Sequence, residues 1–502
     1  MKNDKRSSKK TKLSDTGLSD SKPPELFIGL VGAMGTDLSR VNSALSDSLT
    51  AVGYLSDEIR LSHMLHALKK YSNLPTKFRD EHIDRHIQAG NEFRRDCERN
   101  DAVALLGVGR IKDLRNSGSS ANAGRAYIIN SLKNPEEVRT LRKIYGDSFY
   151  LVAAYSPLQE RKLWLAKQIA QTRNKYPVSQ HSIVVDELIK RDEEEVGFEH
   201  GQQSRDSFHR ADVFVDTRDA EHLKKSVNRF VELLFGNTFH TPTKSEYGMF
   251  VAHAAALRSA ELSRQVGSSI IDAEGEVLAV GCNEVPKAGG GVYWCGDKPD
   301  KREFQDGIDT SDEQKRNMIS ETLGLLKTAG WLSKSKQKLD DAELLNLAIG
   351  QSNPALPKDS KIRNVIEYGR AVHAEMSALT NAARKGIEIV GCTMNVTTFP
   401  CHLCARHIVS AGITRVVYVE PYPKSMTAEL YLDSISVDGQ SSDPKHVPFD
   451  VFVGVAPLQY QNLFTAGIRK DKNGKAIKFT KSTARLRYYQ LSDVYKENEI
   501  TE

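Results

Sequence analysis

Apolar positions in the first half of the chain come in short unbroken runs. Leu26-Phe27-Ile28-Gly29-Leu30-Val31 reads as a buried strand, the turn Gly32 to Ser39 follows, and Val41, Leu45 and Leu49 recur at helical spacing. Asp101 to Leu106, Ala126 to Asn130 and Phe149 to Tyr155 are further strand-like runs separated by helical stretches, an alternation that predicts an α/β unit with a parallel sheet. The second half has a different rhythm. Tyr247 to Gln265 is alanine-rich and predicts an amphipathic helix, and Val266 to Ile271 and Glu276 to Gly281 predict a hairpin turning at Asp272 to Gly275. Ala371 to Arg384 predicts a helix, Thr393 to Thr397 a strand, Cys401 to Ala411 a helix and Arg415 to Val419 a strand. Helix, hairpin, helix, strand, helix, strand is the order of a small α/β/α sandwich. It is interrupted between Lys287 and Asn364 by a long insertion that contains a predicted helix, Asp312 to Leu332.

Two segments of the sandwich carry chemistry. His373-Ala374-Glu375 places a histidine two residues before a glutamate, and Pro400-Cys401-His402-Leu403-Cys404 supplies a Cys-x-x-Cys after proline. One imidazole nitrogen and two thiolates can hold Zn²⁺ while leaving its fourth tetrahedral position open. Both segments open predicted helices, where the positive end of the dipole favours thiolate over thiol. Glu375 is the natural proton carrier beside such a metal. A structural zinc would want a fourth protein ligand, and neither His402, on the turn between the cysteines, nor His407, one turn further, is placed to be one. The other cysteines, Cys97, Cys282 and Cys392, read as buried thiols, while Cys295 sits in a glycine-rich loop.

Composition sets the outer limits. A chain of 502 residues with 39% hydrophobic and 27% charged residues fits a soluble globular protein of two units plus tails. The expected division is a disordered leader over 1–23, an N-terminal unit over 24–240, a catalytic unit over 241–467 with its insertion at about 287–364, and a basic tail over 468–502. No apolar run approaches the roughly 20 residues that span a bilayer, and the leader has no apolar core, so a cytoplasmic protein with reduced thiols is expected. A net charge of +5 permits attraction to phosphates without demanding a nucleic acid. The basic stretch Arg469 to Arg487 and the acidic run Arg191-Asp192-Glu193-Glu194-Glu195 read as solvated faces.

The turn after the first strand is built like a phosphate cradle, with Gly32, Gly35, Thr36 and Ser39 as its candidate nucleotide contacts. Counted against G-x-x-x-x-G-K-[ST] from Gly32, however, Asp37 stands at the second glycine and Leu38 at the lysine. Without that lysine the loop is poor at phosphoryl transfer, so a degenerate nucleotide-binding or structural loop is expected.

Resemblances narrow the reading. Ile129-Asn130-Ser131-Leu132-Lys133-Asn134-Pro135-Glu136-Glu137, Ser156-Pro157 with Arg161, and Ala211-Asp212-Val213-Phe214-Val215-Asp216 resemble nucleoside-monophosphate and dephospho-coenzyme A kinases, which implies a P-loop NTPase-like fold rather than an activity. Leu262 to Gly267, Gly281-Cys282-Asn283-Glu284-Val285-Pro286, His373 to Met376, Pro400 to Ala405 and Ala411-Gly412-Ile413 resemble deoxycytidylate deaminases. That resemblance implies zinc on His373, Cys401 and Cys404, Glu375 as the catalytic acid and base, Asn283 on the sugar and Tyr422 lining the nucleotide pocket. The whole arrangement is similar to bacterial antiphage dCTP deaminases. It implies conversion of dCTP, and of dCMP, to the uracil nucleotide, acting on free deoxycytidine nucleotides in a homo-oligomer. Two alternatives stand beside this: deamination of a base in tRNA or single-stranded DNA, and a sensor whose first half binds a regulatory nucleotide or RNA and gates the site.

Overall fold

The computed structural model describes residues 23–117, 124–193, 201–351, 354–357, 360–422, 425–439, 441, 443–489 and 491–502. The expected leader therefore lies almost wholly outside the described residues. Among the described residues, twelve strands form two mixed sheets. The first holds β1 (Leu26–Gly32), β2 (Tyr54–Arg60), β3 (Gly124–Asn130), β4 (Phe149–Tyr155) and β5 (Val213–Asp216). The second holds β6 (Gly267–Ile271), β7 (Val277–Cys282), β8 (Thr393–Thr398), β9 (Arg415–Glu420), β10 (Ile435–Val437) and β11 (Val447–Val451). The last strand, β12 (Gly454–Val455), returns to the first sheet, whose order is β12-β5-β4-β1-β3-β2.

In the first sheet β1 to β5 are parallel, and only β12 runs antiparallel, against β5. Every residue of β1 is buried, as an unbroken apolar run demands when helices cover both faces. On one face Leu38–Thr50 and Ala220–Leu234 pack on Leu26, Ile28 and Leu30. On the other, Ala102–Ser117 and Pro135–Tyr145 pack on Phe27, Val31 and Ile129. The first of these covering helices corrects an expectation: Asp101 to Leu106 belongs to a helix. Val103, Gly107, Val108 and Ile111 are its buried residues at helical spacing, and the six-residue run alone could not distinguish the two periods.

The second sheet has the order β10-β11-β9-β8-β6-β7. The hairpin β6–β7 is antiparallel, as predicted, and β8, β9, β11 and β10 are mutually parallel. Lys244–Ala256 lies on one face of β6 and Ala374–Lys385 on the other, since Ser269 Oγ donates to Gly248 O and the adjacent Ser268 Oγ to Ala374 O. The layers are therefore α/β/α. The first of these helices is shorter than the periodicity implies, ending at Ala256 instead of Gln265. Beyond it the chain must turn back to enter β6, and the Ala260 N–H is taken by Glu284 Oε2 instead of a helical carbonyl. The insertion carries the helices Thr310–Thr328 and Asp341–Ile349, which pack on each other.

The boundary at 240/241 is crossed by shared packing. Phe214 of β5, Met249 and Ala252 of the following helix, Val417 and Val419 of β9, and Phe452 belong to one apolar cluster. Glu246, itself buried, binds Arg229 of the first half through both carboxylate oxygens (2.8 and 2.9 Å) and accepts from the Val455 N–H of β12 at 2.8 Å. The tail is not simply a solvated basic face. Arg487 N–H donates to Leu234 O, Leu486 and Tyr495 are buried, and Tyr495 OH donates to Glu25 Oε2. Among the described residues no helix is long and apolar enough to cross a membrane.

Glu246 is thus the polar joint of the two halves, and breaking a buried pair leaves its partner's charge and amides uncompensated. Glu246→Ala is expected to lower unfolding stability by about 3 kcal/mol, read from the denaturant midpoint. A loss below about 1 kcal/mol would place the joint elsewhere.

Candidate metal centre and active site

The site is assembled by two helix starts. His373 is the N-cap of Ala374–Lys385, and Cys401 is the N-cap of His402–Ser410, where its Sγ accepts from the Cys404 N–H at 3.4 Å. β8 delivers Cys401 through Phe399 and Pro400. Phe399 N–H is held by Glu420 O, and Pro400 O accepts from Ser425 and Thr427 hydroxyls, so the proline turn is fixed from β9 and beyond.

Two glycines permit this convergence. A Cβ on Gly281 would stand 2.2 Å from Ala374 O and 2.4 Å from Ala378 N, and one on Gly267 would stand 2.0 Å from Ala252 O. β6 and β7 can therefore press against the helix backbones on either face, and the helix bearing His373 and Glu375 sits as low on the sheet as backbone contact allows. Neither glycine has an unusual φ; the need is for space alone.

His373 Nδ1 lies 3.3 Å from Cys401 Sγ and 3.4 Å from Cys404 Sγ, and one ligand atom from each of the three falls within 4.8 Å of the others. Tetrahedral Zn²⁺ with its usual N and S bond lengths would separate such ligands by about 3.5 Å, so the donor set and spacing fit the metal. Among the described residues no other His, Cys, Asp or Glu joins the group, which leaves a fourth position for a non-protein ligand. His402 and His407 stay outside it, as expected.

Electrostatics agree with the donor chemistry. The hydrogen bond from Cys404 and the neighbouring His373 draw Cys401 down to about 4, towards thiolate. His373 is raised to about 9, first by its hydrogen bond with Cys401. Cys404, paired to a thiolate and buried, is raised. Zinc ligation would displace the proton that His373 and Cys401 share, since the metal takes neutral imidazole and thiolate. Glu375 is 4% exposed, and burial pushes its carboxyl up to about 7 against the opposing His373 charge. That value suits a group that must both take and give a proton near neutrality.

Of the remaining expected residues, Tyr422 feels the charges of this centre, and the others are placed elsewhere. Tyr422 is half-buried, with the Arg264 guanidinium 5.7 Å from its ring centre; burial raises its hydroxyl, and the charges at Cys401 and Glu375 act on it too. Asn283 is committed to the backbone: Oδ1 accepts from Val266 N–H at 2.7 Å and Nδ2 donates to Arg264 O at 2.8 Å. It thereby shapes the segment that carries Arg264. Gly32, Gly35, Thr36 and Ser39 lie together in the first half on a separate cleft. Sequence reasoning missed Glu261, whose carboxyl is raised to about 7 by burial and then by Glu303, with His373 opposing. Glu303 comes from the insertion, and no local pattern connects it to the site. Of the other thiols, Cys282 and Cys392 are buried as expected, whereas Cys97 is exposed, at the end of an amphipathic helix rather than in the core.

Residues 242–420 match the zinc-binding region of cytidine and deoxycytidylate deaminases. A deoxycytidylate deaminase of Pongo abelii is 26% identical over 204 residues, covering 40% of this chain and 80% of that protein. The deoxycytidylate deaminase of Enterobacteria phage T2 is 48% identical over 54 residues, 11% of this chain and 29% of its own length. The dCMP deaminase of cyanophage S-TIM5, solved with dCMP and dUMP, aligns along its full length with 43% of this chain at 18% identity and a TM-score of 0.23. At that score the fold rests on the layers described above and not on the likeness. The matched residues 242–420 include His373, Cys401 and Cys404, a group that could hold zinc.

Cys404→Ala is expected to reduce bound zinc from about one per chain to near none, measured by elemental analysis after dialysis. Gly281→Ala is expected to destabilise the fold by about 1–3 kcal/mol and to reduce activity with it, because backbone and not a flexible side chain opposes the new Cβ. An unperturbed melting temperature would show that the helix can lift without cost.

Proposed function

We propose that the protein hydrolytically deaminates the cytosine ring of free deoxycytidine nucleotides, dCTP and with it dCMP, giving dUTP and dUMP, and so depletes the deoxycytidine pool in antiphage defence. The observation that carries the reaction class is the buried Glu375 beside a three-ligand His373–Cys401–Cys404 group with no fourth protein ligand among the described residues. The choice of nucleotide is supported by the resemblance of the segments around Asn283, His373 and Cys401, and by the deoxycytidylate deaminases among the relatives.

When bound, zinc would supply Lewis-acid activation of a water beside C4 of the ring. The chain's own groups do the rest. Glu375 takes a proton from that water and delivers it to ring nitrogen N3 as the water oxygen bonds to C4. It then transfers the second proton to the exocyclic amino group, the C4–N bond breaks, and ammonia leaves a uracil ring. Tyr422, with Arg264 across its ring, is the wall against which the nucleotide lies, and Asn283, the sugar contact that the resemblance implies, holds the Arg264 segment.

In this reading the first half is a P-loop NTPase-like scaffold that has lost phosphoryl transfer, and its glycine loop, with Gly32, Gly35, Thr36 and Ser39, binds a regulatory nucleotide. The protein acts in the cytoplasm as a homo-oligomer, as the resemblance implies.

Glu375→Gln is expected to keep its zinc and lose at least about 10²-fold in kcat on dCTP and dCMP, since proton transfer by a placed acid–base group is worth that much. The assay follows ammonia and the uracil nucleotide with dCTP, dCMP, CTP and cytosine-containing oligonucleotides as substrates. Retained turnover in the variant would sink the mechanism, and activity confined to oligonucleotides would sink the substrate assignment.

A further inference from the structure

The glycine loop lines a cleft of about 430 Å³ at the carboxyl ends of β1, β2 and β3, whose last residues Gly32, Arg60 and Asn130 border it. β1 connects outwards to β2 with β3 lying between them, and β3 then crosses over β1 to β4, so the cleft sits where the winding of the sheet changes direction. Ligands of open α/β sheets bind in such crevices. Its size suits a nucleotide.

The loop's own anion sites are already taken from within. Asp37 caps the helix Leu38–Thr50, accepting from the Ser39 N–H and also from the Ser39 hydroxyl. The Met34 N–H donates to Asp192 Oδ2 at 2.9 Å, so a carboxylate occupies the place that a phosphate oxygen would take in the turn. Asp192 is 0% exposed and pairs with Lys133 Nζ at 2.7 Å, which corrects the expected solvated face at that residue, while Glu194 and Glu195 lie outside the described residues. The pairing also answers the missing lysine. Lys133 Nζ donates to Gly32 O at 3.2 Å, so a lysine from the loop after β3 stands over the turn in which Leu38 replaces the lysine of a phosphate loop.

Two further groups in the cleft lack partners. Thr36, 8% exposed, has its Oγ1 buried with no hydrogen-bond partner. Arg79 Nε is likewise buried and unpartnered, and the guanidinium has no carboxylate within ion-pair distance among the described residues, whereas Arg60, Arg94 and Lys133 each have one. Burial keeps His86 near 4 and lowers His82, so these neighbours add no charge at neutral pH. Apolar lining comes from Met34, Ile83, Ile87, Leu165 and a half-buried Trp164.

We infer that this cleft binds a nucleoside di- or triphosphate whose phosphates lie between Lys133 and Arg79, replacing the Asp192 carboxylate at the turn, with the base against Trp164. The inference rests on the reading of the glycine loop as nucleotide-binding and relocates its cationic contacts to residues outside the loop. An incoming phosphate satisfies the Met34 amide and Lys133 in place of Asp192 and gives Arg79 the counter-ion it lacks.

The test is calorimetric titration of the full-length protein with ATP, which has no cytosine for the deaminase site, and with inorganic triphosphate. Arg79→Gln, which removes no existing ion pair, is expected to raise the Kd for both by roughly tenfold or more. Trp164→Ala is expected to weaken ATP by roughly fivefold or more and leave inorganic triphosphate unchanged. Asp192→Asn, which removes the competing charge, is expected to tighten ATP, and a weaker affinity there would show that the carboxylate does not compete. ATP binding indifferent to Arg79→Gln overturns this site while leaving the glycine-loop reading in place. No binding of ATP or any other nucleotide outside the deaminase site overturns the loop reading itself. Equal binding of ATP and triphosphate, with no effect of Trp164→Ala, overturns the assignment of a nucleotide in favour of a bare phosphate site.

Discussion

The catalytic half depends on two helices beginning at the same point. His373 and Cys401 are each the residue before a helix, and their side chains, with Cys404 one turn on, meet within 3.4 Å. Helix starts leave backbone N–H groups unpaired, and the positive end of the dipole favours thiolate. The convergence exists because β7 presents Gly281 to the helix backbone, and because Ser268 takes the Ala374 carbonyl as its acceptor. A side chain at 281 would lift Glu375 and His373 together. Chemistry and packing are therefore set by one contact, and it leaves no room for adjustment by side-chain rotation.

The first half shows the same economy with the opposite sign of charge. A turn of glycines before a helix offers amides to an anion, and here carboxylates accept them: Asp37 at the helix cap and Asp192 at Met34. Burying Asp192 is tolerable because Lys133 and the hydroxyl of Ser204 surround it. The Asp192 contacts with Met34 and Lys133 bridge segments distant in sequence, and Arg161 adds a hydrogen bond to Met34 O.

How much of this was legible in the sequence follows from how far each signal reaches along the chain. The zinc group was legible because its two segments carry their residue types at short spacing, and the strands β1, β3, β4, β6, β7, β8 and β9 because their periods are local. Asp101 to Leu106 failed for the same reason, being too short a run to separate two periods. What no local pattern carried was the long-range placement. β12 is two residues that gain meaning only against β5. Tyr495 looks like a surface tail residue until it is found among Phe27 and Tyr145. Asp192 sits in a charged run whose composition says solvent, and its burial depends on Lys133 and Met34, both remote in sequence. Glu303 reaches the catalytic region from an insertion of unpredicted shape.

The two halves are therefore not a motor and a passenger joined by a linker. β1 pairs with β4 and β4 with β5, Phe214 of β5 meets Phe452 edge-on at 5.7 Å, and Phe452 N–H donates to Tyr418 O of β9 at 2.7 Å. β9 ends at Glu420, two residues before Tyr422. Tyr418 adds a hydrogen bond to Asp438, and burial together with the Asp438 charge raises Tyr155 at the end of β4. A close-packed path of this kind can carry strain, yet contiguity alone does not make two sites communicate; that takes an element with two arrangements that both sites bias. The apolar path offers none, since its members are buried and well packed. On the proposed nucleotide site the Lys133–Asp192 pair would be that element, since an incoming phosphate exchanges for the Asp192 carboxylate on Lys133 and on the Met34 amide.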